Sequence, residues 1–363
     1  MLNNNEYFPE TFTHPGFTLN EKLKEIGMSK KEFALRTEKP EQTIIKIING
    51  NSSITPDMSI QFENVLKIPA NFWLKKQYKY DEIVARNKRR AAIDEAKEWA
   101  GCFPYAAMAN LGWVPITRKI EEKIDALFNF FGISGKTAWE NYYFKQKLKV
   151  NFRISLKQSS ESYAISAWLR RGEILATELN VPAYNGNLFK KNLKQIKTLM
   201  VQSSSGFFEK LQNLCKQAGV KVVYTPCLPK APIHGSTRWV GNVPLIQLSA
   251  RYRKNDIFWF TFFHEVGHIL LHGKKYVSVE NIDIRHIDLK KENEANAFAI
   301  DCTFSEKQEK ELLEASPLNE DDILFFAEKF NTHPAIMIGR LHHKKIIHYS
   351  VGRKFIEPIN LSN

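Results

Sequence analysis

Residues 261–272 contain two histidines four residues apart, with a glutamate directly after the first. They read Thr-Phe-Phe-His-Glu-Val-Gly-His-Ile-Leu-Leu-His and include His264-Glu265-x-x-His268. Residues four apart share one face of a helix, so both imidazoles can reach one metal ion. The flanking residues are uncharged and mostly bulky, and buried imidazoles need a partner. The motif therefore predicts a Zn²⁺ cofactor, with Glu265 as the general base that activates a water for peptide hydrolysis.

A catalytic zinc ion needs a third protein ligand as well as an open position for water. The metzincin pattern is excluded, because Leu271 and Lys274 stand where it requires glycine and histidine. His272 lies two turns from His264, too far for one ion to bind it together with both motif histidines. We interpret it as an outer partner of the site or a surface histidine. The remaining candidates are the downstream acids Glu280, Asp283, Asp288, Glu292 and Glu294.

The segment 292–301 has the residue pattern of a helix, with small residues where a second helix could approach closely. Glu292 and Glu294 are two positions apart and point in very different directions, so only one of them can be the ligand. The pattern alone does not choose between them.

Length and composition indicate a protein that is folded throughout its 363 residues, 43% of which are hydrophobic. The N-terminus lacks the basic and apolar regions of a signal peptide, and no stretch is apolar enough to span a membrane. The four cysteines form no Cys-x-x-Cys pair, which is typical of reduced thiols in a cytoplasmic protein.

The net charge of +13 is concentrated in the middle of the chain. Residues 1–100 carry +2, residues 101–240 carry +12 and residues 241–363 carry −1. Such a segment can attract nucleic acid or an acidic protein, or it can be a solvated basic surface without a partner.

The first 90 residues read as five short helices, the second and third of which are spaced as a helix-turn-helix. Ser29 is the expected N-cap of the second helix, and Pro40 opens the third helix over residues 41–48. If this third helix enters the major groove, Gln42 and Thr43 lie over bases and Lys46 contacts phosphate. Ile44, Ile45 and Ile48 then face the core. A plain helical bundle used for dimerisation has the same pattern.

The rest of the chain predicts a helical connector followed by strands and a second helical region. Strands are expected at residues 220–225, 234–240 and 245–248, with a turn at Gly241-Asn242, and helices from Asn255 to His343. An edge strand beside an active-site helix can hold an extended peptide. His234 could touch such a substrate, although we interpret it as an exposed loop histidine.

His264-Glu265-Val-Gly-His268, followed by Asn293-Glu294-Ala-Asn-Ala-Phe298-Ala, resembles the ImmA/IrrE family of metallopeptidases. In that family the glutamate of the Glu-Ala-x-x-Phe-Ala element is a zinc ligand, so the resemblance implies His264, His268 and Glu294 as the ligands. Phe298 stands four residues after Glu294, where gluzincins such as thermolysin carry an aspartate that supports a ligand.

The first 80 residues resemble HigA-type antitoxins of the XRE helix-turn-helix class, with Glu38-Lys39 in place of the usual small residue of the turn. Residues 167–173 and 258–264 resemble proteins in which the two modules are fused. The elements that match the antitoxins are His14-Pro15-Gly16, Met28-Ser29-Lys30-Lys31-Glu32, Ile48-Asn49-Gly50, Ile54-Thr55-Pro56-Asp57 and Phe72-Trp73-Leu74.

These observations predict an α+β fold that is mostly α. We expect a helix-turn-helix domain at 1–90, a basic helical connector at 91–210, a zincin-like metallopeptidase domain with a small β-sheet at 211–345, and a tail at 346–363. The expected function is a cytoplasmic, homodimeric zinc endopeptidase that binds operator DNA and cleaves a repressor or antitoxin-like partner. The alternative is a DNA-binding regulator or antitoxin whose zinc site is structural or sensory.

Overall fold

The chain divides into two compact units, residues 1–95 and 96–363. The computed structural model describes residues 13–143, 160–203, 205–275, 278–279, 289–315 and 317–361. Among these residues, no helix is long and apolar enough to cross a membrane.

The first unit consists of helices packed around an apolar core that includes Leu19, Phe33, Ile44, Phe62 and Trp73. The predicted caps form, since the Ser29 hydroxyl accepts a hydrogen bond from the Glu32 amide at 3.1 Å. Because buried apolar residues recur every three to four positions, each short helix presents one face to this core. The helices are α1 Pro15–Glu25, α2 Lys30–Arg36, α3 Glu41–Ile48, α4 Pro56–Leu66 and α5 Ala70–Glu95.

The second unit is a small sheet surrounded by helices. Its helices before the sheet are α6 Lys97–Gly101, α7 Tyr105–Asn110, α8 Ile120–Phe131, α9 Lys136–Trp139, α10 Ser160–Thr177, α11 Gly186–Gln202 and α12 Phe207–Gln217. The strands are β1 Lys221–Tyr224, β2 Gly235–Val240, β3 Val243–Leu248 and β4 Ser278–Val279. The later helices are α13 Asn255–Gly267, α14 Leu289–Thr303, α15 Glu306–Glu314, α16 Glu320–Lys329 and α17 Pro334–His343, and a π-helical turn, His268–His272, directly continues α13.

The sheet has the order β1-β3-β2-β4, with β1 parallel to β3 and the other pairs antiparallel. The three longer strands and the Gly241-Asn242 turn agree with the sequence prediction, and β4 was not predicted. Gly241 has φ 64°, a left-handed conformation that glycine adopts without strain. The mostly helical α+β fold is confirmed.

The segment expected to be a separate connector is part of the second unit. The Trp168 indole on α10 donates a hydrogen bond to the Thr225 carbonyl at 2.9 Å. In return, the Gln247 amide donates to the Trp168 carbonyl at 2.7 Å, and the buried Arg238 donates to the Leu169 carbonyl at 2.8 Å. These reciprocal bonds tie α10 to the sheet. A Cβ atom on Gly172 would lie 2.0 Å from Gln247 Oε1, so glycine is required for this close approach.

The expected tail also packs on the second unit. Val351, Phe355, Ile356 and Ile359 lie against its apolar core, and Pro358 forms an isolated β-bridge with Lys254. The C-terminal segment thus covers the start of α13, which carries the histidine motif.

Candidate metal centre and helix-turn-helix surface

Helix α13 and the π-helical turn bring His264, Glu265 and His268 together in the interior. The Nε2 atoms of His264 and His268 lie 2.9 Å apart, and each histidine is 1% exposed. Burial lowers the pKa of His268 to about 4, even though the neighbouring Glu292 carboxylate raises it. A neutral imidazole at this place is the form that can bind a metal ion.

Glu292 on α14 is the carboxylate that the structure brings to the two histidines. Its Oε2 lies 3.2 Å from His264 Nε2, and its Oε1 lies 3.5 Å from His268 Nε2. The ligand atoms of His264, His268 and Glu292 all lie within 4.8 Å of one another. Glu280, Asp283 and Asp288, the other acids considered from the sequence, lie outside the described residues.

Glu294, expected from the family resemblance to be the ligand, occupies a different place. Its Oε2 lies 3.0 Å from Nε2 of His272, and its side chain is 43% exposed. Two helix positions differ by about 200° around the axis, so Glu292 and Glu294 cannot face the same ion. The structure therefore groups Glu292, and not Glu294, with His264 and His268.

Asn296 explains the apparent departure at Phe298. Its Oδ1 lies 2.9 Å from Nδ1 of His264, the ring nitrogen that faces away from the ligand cluster. Asn296 stands four residues after Glu292 and shares its helix face, as a supporting side chain must. The Glu-x-x-x-Asn spacing was present in the sequence and could have indicated Glu292.

The donor set fits a divalent zinc ion. Tetrahedral ligands about 2.0–2.1 Å from zinc lie about 3.3 Å from one another, and the separations of 2.9, 3.2 and 3.5 Å are close to this. Two imidazoles and one carboxylate are also a typical ligand set of catalytic zinc sites. The candidate site is therefore His264, His268 and Glu292.

Glu265 faces strand β2. A Cβ atom on Gly235 would lie 2.8 Å from Glu265 Oε1 and 2.7 Å from Thr261 Cγ2, so only glycine leaves room for this carboxylate. The Thr237 hydroxyl donates a hydrogen bond to the Glu265 backbone carbonyl at 3.1 Å. Strand β2 thus holds the turn of α13 that carries the glutamate, and Gly235 is a positioning residue that sequence reasoning missed.

A cavity of about 1000 Å³ adjoins the candidate metal ligands. His264 and Glu292 are part of its wall, together with apolar side chains of α13 and α14 such as Phe260 and Ile300. His234 also lines this cavity, rather than being an exposed loop histidine. Cavities of this size bind ligands larger than a single amino acid.

The first unit contains the predicted helix-turn-helix of α2 and α3. Gln42 and Lys46 are exposed on α3, and Thr43 is half-buried. The apolar face is Ile44, Ile47 and Ile48, so Ile47 takes the buried place that was expected for Ile45. Glu38 in the turn has φ 53°, a left-handed conformation in place of the usual small residue.

The four cysteines are free thiols, in agreement with the sequence. Cys215 is buried and Cys102 is exposed. None of them belongs to the candidate metal group in the described residues.

Comparison with known proteins identifies both units. The IrrE N-terminal-like domain family, peptidase M78, matches residues 215–342, and the helix-turn-helix family matches residues 19–73. The chain is 32% identical over 63 residues to an uncharacterized HTH-type transcriptional regulator, YddM, of Escherichia coli, which is 17% of this chain and 67% of that protein.

Two solved structures are each similar to about a quarter of this chain. An addiction module antidote protein of the HigA family from Coxiella burnetii is 31% identical, with a TM-score of 0.22, covering 23% of this chain and 91% of that one. PA4674 from Pseudomonas aeruginosa, solved in complex with its operator DNA, is 24% identical, with a TM-score of 0.22, covering 24% of this chain and 93% of that one. The chain thus belongs to the helix-turn-helix family through its first unit and carries a metallopeptidase-family domain, the IrrE N-terminal-like domain, in its second.

Proposed function

We propose that this protein is a zinc-dependent endopeptidase whose helix-turn-helix domain binds operator DNA. The observation that carries the proposal is the grouping of His264, His268 and Glu292 next to Glu265 in the sequence motif, with His264 and Glu292 in the wall of a cavity of about 1000 Å³. Zinc, when bound, lowers the pKa of a water and polarises the carbonyl of the scissile bond.

Glu265 is the proposed general base. Glu265 directly follows a proposed metal-ligating histidine, and its carboxylate lies against Gly235 of β2. It takes the proton from the attacking water and delivers it to the leaving amine. His264, His268 and Glu292 are the proposed ligands, while Asn296 orients the His264 ring through Nδ1.

The cavity supports a peptide as substrate. It extends along α13 from His264 to Asp256, eight residues or about 12 Å of helix, which is room for several residues of an extended chain. Its wall carries more polar and charged side chains than apolar ones, and such side chains can hydrogen-bond to the backbone groups of a peptide. By family resemblance the substrate is a specific repressor or antitoxin-like protein.

The DNA-binding part of the proposal rests on the helix-turn-helix match and on the similarity to YddM. Gln42, Thr43 and Lys46 are the proposed contacts, since α3 exposes its polar face. A homodimer is proposed because such units commonly read paired half-sites.

Glu265→Gln tests the proposed mechanism. The purified protein is incubated with the repressor or toxin-antitoxin protein encoded beside it, with and without chelator, and zinc content is measured in parallel. We expect the variant to retain zinc and to lose cleavage by about 10²–10⁴-fold, because the amide cannot accept the proton. Cleavage that survives this substitution or the chelator contradicts the proposal.

The second candidate is a DNA-binding regulator that cleaves nothing, which the similarity to a transcriptional regulator favours. In that case the wild-type protein binds its operator and zinc normally but leaves every neighbouring protein intact. The same incubation therefore separates the two functions.

A further inference from the structure

His268 makes a second contact through the ring nitrogen that faces away from Glu292. Its Nδ1 lies 2.9 Å from Nδ1 of His272, and Nε2 of His272 lies 3.0 Å from Oε2 of Glu294. The side chains of His268, His272 and Glu294 are 0%, 3% and 43% exposed. A continuous path of polar contacts therefore runs from a buried proposed ligand to a carboxylate at the surface.

The partners assign the protons along this path. Glu294 is an acceptor when ionised, so Nε2 of His272 carries a hydrogen and donates it. Nδ1 of a neutral His272 then has a lone pair and accepts from the Nδ1 hydrogen of His268. This leaves the lone pair of His268 on Nε2, the atom that faces His264 and Glu292. The opposite tautomer would place a hydrogen on Nε2 and block metal binding.

The π-helical turn His268–His272 places the two rings in this contact. It begins at one histidine and ends at the other, and their ring centroids are 5.1 Å apart. Single π-helical turns within α-helices are rare and frequently occur at functional sites. Here the turn connects the end of α13 to α14 through His272 and Glu294.

We infer that His272 and Glu294 form a positioning pair that holds His268 in its metal-binding tautomer and orientation. The inference rests on the proposed function, in which His268 is a ligand, and it gives Glu294 an outer role in place of the ligand role expected from sequence. Carboxylate–histidine–metal arrangements are common around zinc, and here one additional histidine separates the carboxylate from the ligand.

The test is a series of zinc affinities measured on the full chain, by competition with a chromogenic chelator and without substrate. The variants are His272→Phe, His272→Asn, Glu294→Ala, Glu294→Gln and the double variant His272→Phe/Glu294→Ala. Asp301→Ala, which removes an exposed carboxylate from the same helix, is the matched control. The absorption spectrum of the Co²⁺-loaded protein reports the ligand geometry.

We expect His272→Phe to weaken zinc binding about 10–100-fold, as loss of an outer partner of a ligand does. His272→Asn should recover part of this loss, because its side-chain oxygen can accept from His268 Nδ1. Glu294→Ala should weaken zinc binding less than His272→Phe does. Glu294→Gln should bind zinc nearly as tightly as the wild type, and Asp301→Ala should leave the zinc affinity unchanged. The double variant should have the same zinc affinity as His272→Phe alone, since Glu294 acts only through His272.

Two results would overturn the inference. One is unchanged zinc affinity and an unchanged Co²⁺ spectrum in His272→Phe. The other is a loss of zinc affinity from Glu294→Ala that is just as large in the His272→Phe background as in the wild-type protein. If His272→Phe does not fold, the comparison of Glu294→Ala with Glu294→Gln decides, because that side chain is partly exposed. Failure of the proposed function looks different. In that case the wild-type protein binds no zinc, or the Glu265→Gln variant still cleaves the substrate normally.

Discussion

Helices α3 and α13 both carry the residues expected to act, but they present them in opposite ways. Helix α3 buries three isoleucines on one face and leaves Gln42 and Lys46 in solvent. Helix α13 is buried almost all round, and its His264 and Glu265 are 1% and 0% exposed. The surface helix keeps its polar groups for an external partner, whereas the interior helix must satisfy them within the fold.

This difference determines what each helix needs from the rest of the chain. Side chains on α3 need only the correct face, which the apolar periodicity provides. Side chains on α13 need specific partners from elsewhere, such as Glu292, Asn296 and Gly235, because buried polar groups are costly when unsatisfied. Substitutions around α13 should therefore have larger effects than substitutions on α3.

The largest effect is expected from Glu292→Ala. Loss of a ligand should weaken zinc binding by more than the roughly 10–100-fold that removal of an outer partner costs, and cleavage should be lost with it. Glu294→Ala in parallel should have the smaller effect. Equilibrium dialysis against zinc measures both, and a reversed order would restore Glu294 as the ligand.

Gly235→Ala should reduce cleavage while zinc binding is retained. The new methyl group would stand 2.8 Å from Glu265 Oε1 and displace the carboxylate, and a misplacement of about 1 Å can cost about 100-fold in rate. Gly101→Ala is the control, since a Cβ atom there meets nothing within 4 Å. Equal activity of the two variants would show that Glu265 is not held by β2.

Substitutions on α3 should act on DNA alone. Gln42→Ala should cost about 1–3 kcal/mol at one operator position and relax specificity there, whereas Lys46→Ala should weaken binding to all sequences and reduce the salt slope by about 1. Fluorescence anisotropy at several salt concentrations measures both effects, with Lys24→Ala on α1 as control. Unchanged binding in both variants would leave α3 without a role in recognition.

The smallest effect is a pH dependence at the start of α1. Nδ1 of His14 accepts a hydrogen bond from the Gly16 amide at 3.0 Å, and burial lowers the pKa of His14 below 6.5, although Asp81 opposes this. The unfolded chain therefore binds more protons in the acid range, so stability is lost as the pH falls below 6.5. The His14→Asn variant keeps a hydrogen-bond acceptor that does not titrate, so it should lose less stability than the wild-type protein over this pH range. Amide exchange of α1 at pH 7 and pH 5 tests this, and equal losses in both proteins would contradict it.

The sequence was sufficient to predict features that depend on a single helix, strand or turn. The spacing of His264 and His268 places both rings on one helix face, and Ser29, Pro40 and Gly241 mark the ends of elements by local conformational preference. The strands β1, β2 and β3 followed from short apolar runs between turn residues. Each of these predictions depends only on neighbours along the chain.

Predictions that depend on contacts between elements were less successful. The family resemblance implied Glu294 as a ligand, whereas the structure groups Glu292 with the two histidines. The Glu-x-x-x-Asn spacing that distinguishes Glu292 has meaning only once the contact between Asn296 and His264 is known. The approach of Gly235 to Glu265 joins residues 30 positions apart and has no signature in either segment. The same holds for the packing of α10 on the sheet, which made a predicted connector part of the second unit.

That packing limits how such a gene can be divided or recombined. The IrrE-like match begins at residue 215, but Arg238 and Gln247 beyond it donate hydrogen bonds to the carbonyls of Leu169 and Trp168. In a fragment that starts at residue 215, the buried guanidinium of Arg238 and the buried amide of Gln247 would lose these acceptors. Each loss would lower the free energy of unfolding by about 1–3 kcal/mol. A division of the gene at the boundary between residues 95 and 96 leaves both compact units intact, whereas a division at residue 215 separates α10 from the sheet that it packs on.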